Sequence, residues 1–599
     1  MSTFSSSPCL HVSLSCRVLV VGILLALAPV IQAAEVLDVV PRDALGIIVL
    51  RNMSQADAKL GKLLAALGTP LPGPLAMLKS IAGIEAGLDG TRDLLLVLLP
   101  PENNSRQFHL AVWLPTSDYD ALVRSLEGDP ERRIAVVTIA GEDLLAVRHG
   151  DWAVIMDPDE RDRLEQLREA SPAPPPQLAA WSAWVSRQDA AVVVLPAGMR
   201  AMWAFAASEK LFGPAKREDD SKADQPDDLF GPVRPEPLPS DLWSAVKASL
   251  RELLAFAPEI GNWLAEADGA ACGLRLDETG NAVVDVRLAC ARDTLPTASA
   301  AAQEVARPAP CLFYGGEFVV TGYGQVSPRW VVPAVAPYVR QITNDLAVHF
   351  GNKLDDGAVA KFRTEIEQAV AEVNAFSVLS RPGRDPEGVF TNNFLALRVK
   401  SSRAFLERAD RAMQLWNDML ENSQGAIRLV FKSKPITVAD RKGTEYSIDM
   451  SAAVGGPALP ELKASMEKLF GPGGEFRLQF VPFDDEMVLL AAATEAQVAD
   501  AMKVLGKAQA IDQSELRDAD VLLAKQSDWR LYASPHGYNE WLRRQMDAIL
   551  GAVIGGPVVR EFPASPPFGL TGGVDGSIVW TELAVPAKTV RGIGKYLQK

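Results

Sequence analysis

Histidine and cysteine are scarce in this chain of 599 residues, with five of each. No His-Glu-x-x-His, paired Cys-x-x-Cys or closely spaced histidine pair occurs, so the donor spacings of a zinc site are missing. Also missing are a Gly-x-Ser-x-Gly elbow, a Gly-x-x-x-x-Gly-Lys-Ser/Thr phosphate loop and a Gly-x-Gly-x-x-Gly turn after a strand. No metal and no cofactor is expected from these patterns. Positive charge is short too: 60 lysines and arginines face 75 acids, for a net charge of -15. A chain this acidic repels phosphate backbones, and no Lys/Arg-rich patch overrides the average, so nucleic acid is not an expected partner. Nor is there a basic amphipathic helix suited to anionic lipid.

One long apolar run is present, at the N-terminus. Arg17 precedes Val18–Ala28, then come Pro29 and the small-residue end Ile31-Gln32-Ala33-Ala34. A positive start, a short apolar core and a terminal alanine pair describe a secretory signal peptide over residues 1–34. The chain then begins near Glu35, in the periplasm or outside the cell. An uncleaved anchor is the competing reading, but Pro29 and Gln32 interrupt the run before the ~20 residues a bilayer requires. After signal removal no stable membrane span is expected. Cys272, Cys290 and Cys311 remain, an odd set that leaves at least one thiol unpaired. Cys272 and Cys290 flank a hairpin turning at Asp277–Asn281, whose register sets residue 272 opposite about 285, so a bridge between them is not expected. All three read as small buried hydrophobes.

Beyond the signal, apolar runs predict strands at Gly46–Leu50, Leu94–Leu99, Phe108–Leu114, Ile134–Ile139, Leu144–Arg148 and Trp152–Met156. Ser117 is placed to cap a helix carrying Tyr119, Leu122 and Val123. The order then recurs. A strand at Phe394–Val399 leads to a helix capped at Ser401-Ser402, then strands at Ile427–Phe431, Thr444–Met450, Phe476–Val481 and Met487–Ala492, and a helix from Glu495. Asp189–Gly198 and Asp528–Gly537 are each a strand ending in Pro-x-Gly before a helix. The expected fold class is α+β: two similar halves, 35–295 and 296–599, each a mainly antiparallel sheet with helices packed on one face. Residues 213–240, rich in charge and proline, read as a mobile acidic loop in the first half.

The stretch Val40-Pro-Arg-Asp-Ala-Leu-Gly-Ile-Ile-Val-Leu-Arg-Asn52 resembles the start of a family of exported bacterial proteins of unknown function, whose members begin with a similar Pro-x-Asp-x-Leu strand after the signal. The resemblance implies export and carries over no activity and no functional residues.

Candidate binding residues come from two places. The segment 313–330 interleaves aromatics with glycine, so Tyr314, Tyr323 and Trp330 can offer flat rings with close backbone approach to a ligand; a glycine-turned hairpin has the same composition. His536, in Ser534-Pro-His-Gly-Tyr538, occupies a strand-to-helix turn, where functional groups often sit. Ser465-Met-Glu-Lys468 fits Ser-x-x-Lys but has no Lys-Thr-Gly or Ser-Asp-Asn companion, and reads as a surface pair on a helix. No catalytic residue is assigned. The expected function is that of an exported, non-catalytic binding or scaffold protein for an unknown protein, peptide, sugar or lipid. The alternative is an uncommon carboxylate-dependent hydrolase acting outside the cytoplasm.

Overall fold

The computed structural model describes residues 33–68, 73–101, 108–169, 173–207, 266–291, 312, 315–327, 356–384, 386–421, 430–450, 460–507, 514–554 and 559–598, with positions 332, 335, 339 and 341 singly. Most of the signal, the loop 213–240, Cys311, Tyr314 and Trp330 lie outside the described residues. The chain divides into two compact units, Met1–Ala56 with Pro74–Ala271, and Asp57–Gly73 with Cys272–Lys599.

In the first unit, short runs of β-branched and aliphatic residues form β1 (Gly46–Leu50), β2 (Leu94–Leu99), β3 (His109–Pro115), β4 (Ala135–Ile139), β5 (Glu142–His149), β6 (Trp152–Met156) and β7 (Ala190–Val194). They pair antiparallel in the order β7-β1-β2-β3-β6-β5-β4. The helices are α1 (Ala33–Asp38), α2 (Met53–Ala66), α3 (Pro74–Ala82), α4 (Tyr119–Ser125), α5 (Arg161–Glu169), α6 (Ala179–Val185) and α7 (Pro196–Ala207); α2 starts in the first unit and ends in the second. Asp118, rather than Ser117, caps α4: its Oδ1 accepts the Ala121 N–H at 3.1 Å. The two neighbours are both capping types, and the chain enters the helix one residue later than the sequence suggests.

The strand β8 (Ala267–Leu276) leads into the second unit. There follow β9 (Ala282–Cys290), β10 (Val320–Gln325), β11 (Val373–Ser380), β12 (Asn393–Val399), β13 (Lys432–Val438) and β14 (Arg441–Asp449). The last strands are β15 (Glu475–Pro482), β16 (Met487–Ala492), β17 (Trp529–Ala533), β18 (Phe568–Asp575) and β19 (Ile578–Val585). The order is β9-β19-β18-β17-β10-β11-β12-β16-β15-β14-β13, antiparallel throughout. The helices are α8 (Asp356–Val370), α9 (Ser402–Glu421), α10 (Pro460–Phe470), α11 (Glu495–Lys507), α12 (Arg517–Asp520), α13 (Pro535–Ile554) and α14 (Ala587–Gln598).

The fold is therefore α+β with extensive antiparallel sheet, but its helices cover both sheet faces, not one. Successive side chains of a strand point to opposite faces. Along β12 and β16, Phe394, Ala396, Leu489 and Ala491 pack in one core with Val498, Ala501 and Met502 of α11. The alternate residues, Leu395, Leu397, Val488 and Leu490, pack in another with Ala369 of α8 and Phe405 of α9. In the first unit every residue of β6 is buried, which likewise requires cover on both faces. Most of the strand expected at 427–431 lies outside the described residues; β13 begins at Lys432, with its first four residues exposed. Neither Cys272 nor Cys290 is in a disulfide; Cys290 is buried as expected, but Cys272 is exposed.

Candidate functional site

A cleft of about 410 Å³ opens in the second unit where α9 begins. The helix contributes Ser402, Arg403, Leu406 and Glu407. The β13–β14 hairpin adds Arg441, the end of β15 adds Pro482, and the β15–β16 loop adds Asp484 and Asp485. Local rules set each piece. Ser401 caps α9, its hydroxyl accepting the Ala404 N–H at 3.3 Å. The hairpin turns on Ala439 and Asp440, both at positive φ (46° and 63°), the backbone of a tight two-residue connection that starts β14 at Arg441. The loop holds itself through the Glu486 N–H, which donates to Asp484 Oδ1 at 2.8 Å. It is tied to the helix start by the Ser402 N–H donating to the Asp485 carbonyl at 2.8 Å.

Charges of both signs line this cleft, and part of that charge is uncommitted. Arg403 and Glu407 pair with each other at 2.9 Å on the solvent side. Among the described residues, the Arg441 guanidinium, the Asp485 carboxylate and the Ser402 hydroxyl take no hydrogen-bonding or ionic partner, although Ser402 is only 6% exposed. Leu406 and Pro482 supply the apolar wall between them.

The residues singled out from the sequence lie elsewhere. Tyr323 is half-buried in β10, opposite Arg530 and Ser377, on the side of the sheet that carries Thr321 and Tyr532. His536 opens α13: its Nδ1 is hydrogen-bonded to the Phe562 carbonyl at 2.8 Å and its Nε2 lies 3.5 Å from Glu317. Glu317 precedes β10 while Tyr323 is towards the end of that strand, so the two candidates do not form one site. Ser465 and Lys468 sit on α10 with Lys468 exposed.

Several buried polar clusters escaped the sequence reading. The Tyr532 hydroxyl donates to Asp520, which also receives Arg530. Burial pushes the Tyr532 phenol up, and the Asp520 carboxylate raises it further. Glu582 accepts the Ala524 N–H at 2.8 Å and pairs with Arg275 at 2.9 Å. In the first unit, Arg51 is fully buried with its Nε 3.2 Å from Asp93, whose carboxyl is pushed up by burial against the pull of the Asn52 N–H and Arg51. On α13, burial would raise the Glu540 carboxyl, but the Arg543 and Arg544 hydrogen bonds outweigh it and hold it below the usual range. No sequence signal marks the Asp520, Glu582 and Arg51 clusters, whose partners are brought together only by strand pairing and helix packing; the Glu540 pairs follow instead from i,i+3 and i,i+4 spacing on one helix.

No group of three or more His, Cys, Asp or Glu side chains suited to a metal ion occurs among the described residues. Among the same residues, no helix is long and apolar enough to cross a membrane. The chain matches no family model, no curated protein and no solved structure.

Proposed function

We propose that the protein is an exported, non-catalytic binding or scaffold protein built from two copies of one α+β unit. The observation that carries the two-copy part of the reading is the strand order. The run β7-β1-β2-β3-β6-β5-β4 of the first unit parallels β17-β10-β11-β12-β16-β15-β14 of the second, where β13 adds one strand at the edge. Backbone hydrogen bonds fall at matching places. Leu195 N donates to Leu45 O as Ser534 N does to Val319 O, and Arg51 N donates to Asp189 O as Gln325 N does to Asp528 O. Likewise Leu45 N to Leu98 O parallels Val319 N to Ser380 O, and Thr116 N to Asp151 O parallels Val399 N to Glu486 O. Agreement at four separate joints is hard to reach by sliding unrelated strands past one another.

Export is supported by Arg17, the apolar run Val18–Ala28 and the alanine pair Ala33-Ala34. The test is envelope fractionation of cells producing the full chain, followed by N-terminal sequencing. A chain beginning near Glu35 in the periplasm or medium is the expected result; a chain retaining Met1 in the cytoplasm overturns it. A second reading, a carboxylate-dependent hydrolase, is favoured by one observation: Glu407, Asp484 and Asp485 line the same cleft.

A further inference from the structure

We propose that the cleft at the start of α9 binds a small zwitterion, a free amino acid or short peptide, by its two charged ends. The assignment rests on the binding-protein reading above and deepens it. Its anion side is the N-terminal end of a 20-residue helix together with the uncommitted Arg441 and the unpartnered hydroxyl of Ser402, a residue only 6% exposed. A helix N-terminus carries partial positive charge, and an arginine fork matches a carboxylate in shape, so a carboxylate gains from both. The Ser402 hydroxyl, which has no partner in the fold and belongs to a residue only 6% exposed, supplies a further donor at the same wall.

The cation side is Asp485, uncommitted, with Asp484 beside it, one of whose oxygens is already engaged by the Glu486 N–H. A simple anion would meet repulsion from these carboxylates, and a simple cation would meet Arg441 and Arg403. A ligand bearing both signs satisfies both walls. Leu406 and Pro482 lie along the intervening carbon skeleton, and about 410 Å³ falls within the range of small-molecule sites.

The experiment is calorimetric titration of the full chain with a panel of L-amino acids and dipeptides, and with the same dipeptides N-acetylated or C-amidated. Saturable binding is expected, with each blocked end weakening it at least about tenfold. Arg441→Gln should lose the distinction between free and amidated peptide, and Asp485→Asn the distinction between free and acetylated peptide, with unfolding curves unchanged. No saturable binding by any probe, or wild-type discrimination in both variants, overturns the assignment and leaves the export reading to its own fractionation test. Dipeptide hydrolysis abolished by Asp485→Asn would support the cleft as the zwitterion site and overturn the non-catalytic reading.

Discussion

Single residues explain why the aromatic and glycine-rich segment read as a ligand platform. Gly324 and Gly572 both lie opposite Trp529 in the ladder, and a Cβ on either would meet Trp529 atoms, at 2.3 and 2.5 Å respectively. Those glycines make room for an indole far away in sequence, which composition alone cannot reveal. The turn at Asp277–Asn281, by contrast, was legible because its chemistry is local. Asp277 accepts from the Thr279 N–H (2.8 Å), the Thr279 hydroxyl (2.7 Å) and the Asn281 N–H (3.0 Å) on Oδ1, and from Asn281 Nδ2 (2.6 Å) on Oδ2. Burial would raise this carboxyl, but the hydrogen bonds outweigh it and its pKa falls below the ordinary 3.8. A depressed folded pKa contributes stability that is present above the unfolded value and lost as pH falls through the folded one. Asp277→Ala should therefore cost roughly 1 to 2 kcal/mol near neutrality. Urea unfolding at stepped pH should show the difference from wild type closing below the usual carboxylate range; a difference independent of pH would refute the assignment.

Whole elements were legible where their side chains alternate or cluster, as in β1, β2 and β6, whose bounds match the apolar runs. The edge strand β13 was not, because Lys432, Ser433, Lys434 and Pro435 are all exposed and display no buried set to recognise. Lysine and proline at an edge discourage pairing with another chain, so the same residues that hide the strand protect it. Cover on both faces was also hidden: a helix's apolar stripe says that it packs, not on which side of a sheet. The cleft was unreadable for a similar reason, since a cap, a hairpin turn and a loop converge on it from three parts of the sequence. The Pro-x-Gly signals have a clear cause. Proline suits the first turns of α7 and α13. The glycines let those turns rest on backbone, since a Cβ would stand 2.1 Å from Leu45 O at Gly198 and 1.8 Å from Phe318 O at Gly537. Gly198→Ala and Gly537→Ala should each destabilise by about 1 to 3 kcal/mol, or more. Gly61→Ala, within α2 and with nothing inside 4 Å of the added carbon, should instead stabilise by roughly 0.5 to 1 kcal/mol. Thermal melts of the three variants check the signs, and a stable Gly537→Ala protein would show the contact to be misjudged.

At the scale of the molecule, the second unit cannot be read as a simple C-terminal half, because it borrows residues 57–73 from far upstream. Within that unit the buried Lys59 ammonium donates to the Leu276 carbonyl at 2.8 Å, and a Cβ on Gly594 of α14 would stand 2.6 Å from Ala66 O. A fragment of residues 272–599 should thus melt lower than the same fragment supplied with a peptide spanning 57–73; equal melting temperatures would mean the borrowed helix is dispensable. The long-range strand pairings set a timetable as well. β1 pairs with β7 and β10 with β17, each pairing joining strands far apart in the sequence. Such contacts have high sequence separation, and loop closure must precede any gain from them, which slows folding. Until the last strand arrives, the inner edges of β1 and β10 stay open as templates for other chains. The chain is therefore at its most aggregation-prone during synthesis rather than once folded, and a chaperone that delays folding would protect it most at that stage.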